Sequence, residues 1–363
     1  MKSEILEGKA KIKASKGKIT RKMPVFYNPD MKLNRDVSVL LLKSIKNNKM
    51  KIADPLAASG VRSIRFLLEL NKSKVKEVFI NDASATAINN VKSNLKLNKL
   101  NKSKKVTVAN EEANMFLLEN RPFDYIDIDP FGTPVGFLDA ATKSLSRNAI
   151  LAVTATDTAA LAGTAQKACV RKYWAVPLKN YLMHEFGLRI LIRRVQLAAA
   201  SNEKALIPVF SYSKLHYMRV FFRCGYKTRD VDEILKQHNH ISYCTNCLGL
   251  NCNCKNKKVV LGPVWIGDLF DAKLAADIYK NNSDDSNNSF LKTIVDESKI
   301  STLGFYDTHE LSKKLKLQPP KLDALMQKLK KRGFKAARTH LSGNGVKTNA
   351  SSSVIIELLK KFS

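Results

Sequence analysis

The sequence predicts an α/β protein, a mostly parallel sheet covered by helices, followed by a smaller C-terminal α+β domain. Three observations carry this. From Lys51 to Thr154, short apolar runs alternate with amphipathic segments about 10–15 residues long, the signature of strand–helix–strand units. Beyond Tyr226 this alternation stops, and four cysteines crowd between Cys244 and Cys254. The 363 residues suit two domains of roughly 100–200 residues each, and the expected division is 1–226 and 227–363.

The elements follow in order. Asn34-Arg35-Asp36 opens a helix whose Val37, Leu40, Leu41 and Ile45 share one face. Strands are expected at Lys51 to Asp54, Glu77 to Asp82, Lys105 to Ala109, Phe123 to Ile128 and Ala149 to Thr154. The intervening helices fall at Val61 to Leu70, Ala85 to Leu97, Ala113 to Glu119 and about Phe137 to Ser146. A helix over Leu178 to Phe186 precedes two strands, Leu206 to Tyr212 and Tyr217 to Cys224, expected to be antiparallel. Asn281 to Asn288 reads as a polar connector. The last unit reads as helix (Thr308 to Leu315), a Pro319-Pro320 turn, helix (Lys321 to Arg332), Gly333 as a cap, and a hairpin-like tail, a winged-helix-like order.

Charge points to the partner. Lys plus Arg number 62 against 32 Asp plus Glu, a formal net charge of +30. Such an excess repels itself in a compact chain, and a polyanion such as nucleic acid relieves it. Basic residues are concentrated at both ends, 13 against 4 acidic over Met1–Lys49 and again over Ser301–Ser363. Lys313, Lys314, Lys316, Lys328, Lys330, Lys331, Arg332 and Lys335 would form a phosphate-contacting face, or an ordinary solvated one. No run of about 18 apolar residues could cross a membrane, and the N-terminus lacks the apolar core of a secretory signal. A cytoplasmic chain is expected. No protein partner is implied, and the oligomeric state is not readable.

Four segments carry the chemistry. The small-residue turn Asp54-Pro55-Leu56-Ala57-Ala58-Ser59-Gly60 lets backbone approach a ligand at a helix N-terminus. Asp82 ends the next strand, where a carboxylate can accept two ribose hydroxyls or cap the following helix. Glu112, after the third strand, could accept an adenine amino group or stand as a solvated acid at a helix start. The fourth is the strand tip Asp129-Pro130-Phe131-Gly132. A planar exocyclic amine on a base is a weak nucleophile because its lone pair is delocalised into the ring. A carboxylate and a proline carbonyl can accept its N–H bonds, and an aromatic ring can stack on the base.

With these motifs in place, the chain resembles the tRNA guanine-26 N2-dimethyltransferase family, whose enzymes use S-adenosylmethionine on a class I (Rossmann-like) methyltransferase fold. The matching residues are Val25-Phe26-Tyr27-Asn28-Pro29, Asn34-Arg35-Asp36, Ser59-Gly60-Val61-Arg62-Ser63-Ile64-Arg65, Asp129-Pro130-Phe131-Gly132 and Thr156-Asp157. Further matches are His184-Glu185, Ser211-Tyr212-Ser213, Thr339-His340 and Lys347-Thr348. The resemblance implies methyl-donor contacts at Arg35, Arg65, Asp82, Glu112 and Ala113, alongside the turn residues Asp54 and Gly60. It implies a base slot with Phe26 and Phe131 on either side and Asp129 at the amine. The position held by Glu112 is usually Asp in the family.

Cys244-x2-Cys247 and Cys252-x-Cys254 can enclose structural Zn²⁺ in four thiolates. His238 or His240 could replace one. Cys169, Cys224, Trp174 and Trp265 are expected in the core. The rival readings are an amino-methyltransferase acting on other RNA or DNA, and a zinc-bearing RNA-binding protein on a decayed methyltransferase fold.

Overall fold

A computed structural model describes residues 2–15, 27–252, 255 and 258–362. Phe26 and Cys254, both singled out above, lie outside the described residues. The chain opens with a hairpin, β1 (Lys2–Glu7) and β2 (Ala10–Ser15), that the sequence reading did not anticipate. Its turn residue Gly8 has φ +56°, and a Cβ there would fall 2.1 Å from Glu69 Oε1. Only glycine lets this turn press against the helix that carries Glu69.

The expected alternation then builds the main sheet. Its strands are β3 (Met50–Asp54), β4 (Val75–Asn81), β5 (Val106–Ala109), β6 (Phe123–Ile128), β7 (Leu145–Ala155), β8 (Ala205–Lys214) and β9 (Tyr217–Gly225). They lie in the order β5-β4-β3-β6-β7-β9-β8. The first five are parallel, whereas β9 runs antiparallel to both β7 and β8. Alternate residues feed separate cores. Ile52, Tyr125 and Ile150 pack on one face, and Ala53, Ile126 and Leu151 on the other. This two-sided burial is why the strands read as continuous apolar runs.

The helices are α1 (Lys32–Ser44), α2 (Val61–Glu69), α3 (Ala85–Leu97), α4 (Ala113–Glu119), α5 (Leu138–Lys143), α6 (Thr158–Leu161), α7 (Gln166–Tyr173) and α8 (Met183–Ala200). Two expectations are corrected here. The helix expected near Phe137 to Ser146 stops at Lys143, because Leu145 already pairs with Phe123 in the sheet. The helix expected over Leu178 to Phe186 starts at Met183 and runs to Ala200, its stretch from Leu188 to Ile192 buried throughout, including the ion-paired Arg189.

After β9 come α9 (Thr228–Lys236), the antiparallel pair β10 (His238–Cys244) and β11 (Lys258–Trp265), α10 (Ala272–Lys280) and α11 (Asp285–Glu297). Helix α11 takes half of the expected polar connector, since Asp284 caps it by accepting from Ser286 N. The last unit has its own small core around Leu325, Leu329, Val346 and Ile355. It comprises β12 (Tyr306–Asp307), α12 (Thr308–Leu315), α13 (Leu322–Lys331), β13 (Ala336–Thr339), β14 (Ser342–Thr348) and α14 (Ser352–Lys360), with sheet order β12-β14-β13. This is the winged-helix-like arrangement expected.

Two buried carboxylate clusters fix this unit to the rest. Glu185 on α8 accepts from Lys347 Nζ on β14 at 3.0 and 3.2 Å, and also pairs with Arg189. Glu297 on α11 accepts from His340 Nδ1 at 2.7 Å and from Thr339 Oγ1 at 2.8 Å. Burial works against the Glu185 charge, yet Lys347, Arg189 and the Gly304 N–H hold its carboxyl down at about 2. A carboxyl lowered on folding adds stability that is full above its ordinary value near 4.5 and is lost as pH falls through about 2. Replacing Glu185 by Gln should cost about 3–5 kcal/mol at neutral pH, because Lys347 loses its buried counter-charge. The variant should also lose less stability than the wild type between about pH 5 and about pH 3. Urea denaturation across that range tests both, and an unchanged acid slope would show that Glu185 is not held in this way.

Candidate active site

The parallel strands deliver their carboxyl ends to one crevice, at the point where strand order reverses between β3 and β6. Asp54 ends β3, Asp82 follows β4, Asp129-Pro130-Phe131 follows β6 and Thr156 follows β7. All line a single cleft of about 640 Å³, together with Tyr27, Asn28, Arg35, the small residues Ala57, Ala58 and Ser59, Arg62, and His216 from the β8–β9 turn. That volume suits a nucleoside-sized ligand. Gly60 caps α2 with φ +75°, and a Cβ there would press on Val91 at 3.2 Å. It shapes the turn without lining the cleft.

Beneath the cleft lies a buried charge cluster. Arg62 pairs with Asp129 Oδ2 and lies 3.2 Å from Asp127 Oδ2. Asp127 also receives both terminal nitrogens of Arg219, at 2.7 and 2.8 Å, and the Tyr125 hydroxyl at 2.5 Å. Burial opposes ionisation of Asp127, but Arg219 and Arg62 hold its carboxyl below the ordinary value. Asp54 has the opposite balance. Burial pushes it up to about 7, and the charges of Asp127 and Asp129 add to this against Arg62. Its Oδ2 accepts from Ser63 Oγ at 2.7 Å. Among the described residues, Oδ1 of Asp129 accepts no hydrogen bond.

A second cluster supports Arg35. Glu7, delivered by β1, accepts from Arg35 Nε at 2.7 Å and Nη2 at 2.5 Å, from Tyr27 Oη at 2.9 Å and from Arg65 Nη1 at 3.0 Å. Arg65 further reaches Asp36 and Glu69, each at 2.7 Å. Arg35 therefore lines the cleft while Arg65 stands behind it, fully engaged with carboxylates.

The expected site residues separate accordingly. Asp54, Asp82, Asp129, Pro130, Phe131 and Arg35 converge on the cleft; Gly60, Arg65, Glu112 and Ala113 do not line it. Glu112 is exposed and caps α4, accepting from Asn114 N and Met115 N. Asp82 does not cap α3, a task Ser84 performs. Instead it accepts from Ala58 N and Ser84 N, each at 2.9 Å, and so fixes the turn beside the cleft. Asp157 accepts from Tyr173 Oη at 2.6 Å rather than capping α6. Glu7, Arg62, Arg219 and His216 were not assigned from sequence. Arg62 stood in the matched motif with no role attached, and lone charges such as Glu7 carry no local signal of burial.

Away from the cleft, the thiols of Cys244, Cys247 and Cys252 lie within 4.8 Å of one another, with Cys247 and Cys252 Sγ atoms 3.4 Å apart. Burial raises the Cys244 thiol, but backbone and thiol hydrogen bonds from Cys247 and its neighbours bring it down to about 7. Three converging thiols with one readily ionised fit a soft divalent metal. His238 is turned elsewhere, its Nε2 2.8 Å from Gln196 Oε1. Cys169 and Cys224 are buried, as expected.

Comparisons with known proteins bear on the whole chain. Residues 7–360 match the family model for N2,N2-dimethylguanosine tRNA methyltransferase. A tRNA (guanine(26)-N(2)/guanine(27)-N(2))-dimethyltransferase from Aquifex aeolicus is 40% identical, covering 95% of this chain and 91% of that one. A tRNA (guanine(26)-N(2))-dimethyltransferase from Pyrococcus abyssi is 38% identical, covering 98% of each. Among solved structures, Trm1 from Pyrococcus horikoshii in complex with S-adenosyl-L-methionine superposes with a TM-score of 0.88 at 36% identity, over 98% of this chain and 99% of that one. A cleft framed by acid-Pro-aromatic at one strand tip, on a fold shared end to end with these proteins, places the chain in the N2,N2-dimethylguanosine tRNA methyltransferase family.

Proposed function

We propose that this chain dimethylates the N2 amine of guanine 26 in tRNA, using S-adenosyl-L-methionine, in the cytoplasm. The observation that carries the reading is the convergence of Asp129, Pro130 and Phe131 with Arg35, Asp54 and Asp82 on one nucleoside-sized cleft. When bound, S-adenosyl-L-methionine supplies a methyl group already activated by its sulfonium. Arg35 would hold its carboxylate and Asp82 its ribose hydroxyls, while Asp54 and the Ala57–Ser59 turn border it. Arg65 would act from behind, through Glu7, by fixing Arg35. Glu112 and Ala113, at the next strand tip, would border the adenine, and Phe26 would face Phe131 across the base.

Catalysis then rests on alignment. Asp129 and the Pro130 carbonyl accept the two amine N–H bonds, so the nitrogen lone pair turns toward the methyl at roughly 3–3.5 Å. Arg62 occupies one oxygen of Asp129 and leaves the other for the amine. Each transfer would break the donor's S–CH3 bond, leaving a neutral thioether, form one N–C bond and release one amine proton, which Asp129 can accept. Position 26 lies at a stem junction, so extruding the base costs a few kcal/mol. Phosphate contacts offset this. We assign them to the basic N-terminal segment and to the 227–363 domain, where Lys313, Lys314, Lys330, Lys331 and Lys335 are exposed. The cysteine cluster would hold structural Zn²⁺ with Cys254 as fourth ligand.

Asp129→Ala should lower methyl transfer to unmodified tRNA by about a hundredfold or more, with donor affinity changed only a few-fold. Activity within about tenfold of wild type would remove Asp129 from the chemistry. Nucleoside mass spectrometry of the product should show N2,N2-dimethylguanosine, whereas N6-methyladenosine in its place would favour the rival amino-methyltransferase. Replacing Cys244 and Cys247 by Ser should weaken stability or tRNA binding but not donor binding. Metal analysis of the wild-type chain finding well under one zinc per chain would count against the site.

A further inference from the structure

Trp174 was expected in the core, yet its side chain is 54% exposed, whereas Trp265 is 4% exposed. It sits directly after α7 with φ +55°, a left-handed cap position that glycine fills at least cost. A tryptophan there is conformationally disfavoured and its indole faces solvent, so neither backbone geometry nor core packing accounts for it. Val170, one turn earlier, is 44% exposed.

The surroundings are cationic. From Thr164 to Ala200 there are seven basic residues and one acid, and that acid, Glu185, is consumed in the buried knot with Lys347. The guanidinium carbon of Arg194 lies 4.1 Å from the Trp174 ring centroid. Arg193 Nη1 donates to the Trp174 carbonyl at 3.3 Å, and its buried Nε has no partner. Among the described residues, Arg171, Arg193 and Arg194 make no ion pair. An exposed indole carrying a guanidinium, amid unpaired arginines, matches the way proteins hold unstacked nucleotides, by ring stacking with cations on the phosphates. An acidic protein surface would answer the arginines and leave the indole without a planar partner.

The element is also tied to the cleft. Tyr173, immediately before it and the last residue of α7, places its hydroxyl 3.0 Å from Thr133 Oγ1 and 2.6 Å from Asp157 Oδ1. Thr133 follows Gly132, whose N–H donates to the cleft residue Thr156 at 2.7 Å. The loop that carries Asp129 and Phe131 is thus hydrogen-bonded to the helix that ends at Trp174.

We infer that Trp174 and Arg194 form a stacking platform for a tRNA nucleotide flanking the extruded guanine, with Arg171 and Arg193 meeting the adjoining phosphates. This rests on the reading of tRNA as substrate. In the full-length chain, Trp174→Ala should raise KM for tRNA about tenfold, Trp174→Phe should restore most of the loss, and affinity for S-adenosyl-L-methionine alone should stay at the wild-type value. Binding of tRNA should quench the tryptophan fluorescence of the wild type, and the quenching should vanish in Trp174→Phe, since Trp265 is buried. If wild type methylates tRNA but Trp174→Ala changes KM by less than about twofold, or tRNA leaves the fluorescence unmoved, the platform is refuted while the substrate reading stands. If the wild type does not methylate tRNA, the substrate reading falls and takes the platform with it.

Discussion

The ion pair between Arg62 and Asp129 is the constraint on which the site depends. The strand-end Asp129, its side chain 20% exposed at the cleft, is held in place by a charged partner. Arg62 supplies the counter-charge, but it is itself 6% exposed and must be answered in turn. Asp127 does this from its buried position on β6, two residues before Asp129, and Arg219, fully buried on β9, balances Asp127. The remaining member, Asp54, has a carboxyl pushed up to about 7. With Asp54 protonated, three carboxyls and two guanidiniums sum to zero. The position of the cleft aspartate is therefore set by residues on four elements, β3, β6, α2 and β9, that are far apart in sequence.

A second knot has the same logic. The hairpin β1–β2 could have been only a basic arm, given its lysines, but it inserts Glu7 between Arg35 and Arg65. Burial works against the Glu7 charge, and the two arginines and Tyr27 hold it ionised; burial, and then the Glu7 charge, push the Tyr27 hydroxyl up to about 12. Asp36 extends the knot by accepting from Arg65, Lys32 and Asn287, which brings in α11. Arg35, at the cleft, is thereby fixed by β1 and, at one remove, by α11.

Legibility in the sequence followed locality. The parallel sheet was readable because each strand and helix announces itself within about ten residues, and Asp129-Pro130-Phe131 was readable because its chemistry is contained in one strand tip. Roles that depend on depth were not. Arg35 and Arg65 look alike on paper, yet one faces the cleft and the other is enclosed by Glu7, Asp36 and Glu69. Glu112 offered both a ligand and a helix cap, and the cap is what the hydrogen bonds show. Glu7 and Arg219 gave no signal because the partners that bury them lie 28 and 92 residues away, at Arg35 and Asp127. Trp174 misled in the opposite sense, since an aromatic within an apolar-rich stretch ordinarily reads as core.

The buried carboxylates Glu185 and Glu297 bear on substrate choice. Each is fully satisfied in one arrangement of α8, α11 and the last sheet, because displacing Lys347 or His340 would strip a buried carboxylate of one of its partners. The exposed lysines of α12 and α13 are thus held at a set distance from the strand tips that frame the cleft. If those lysines meet tRNA phosphates, as proposed above, they would measure position along the RNA rather than read its bases. On the tRNA reading, the guanine selected is the one that falls at the cleft when the backbone is seated on the lysines, and the cleft itself need only reject bases that lack an amine for Asp129 and Pro130 to accept from.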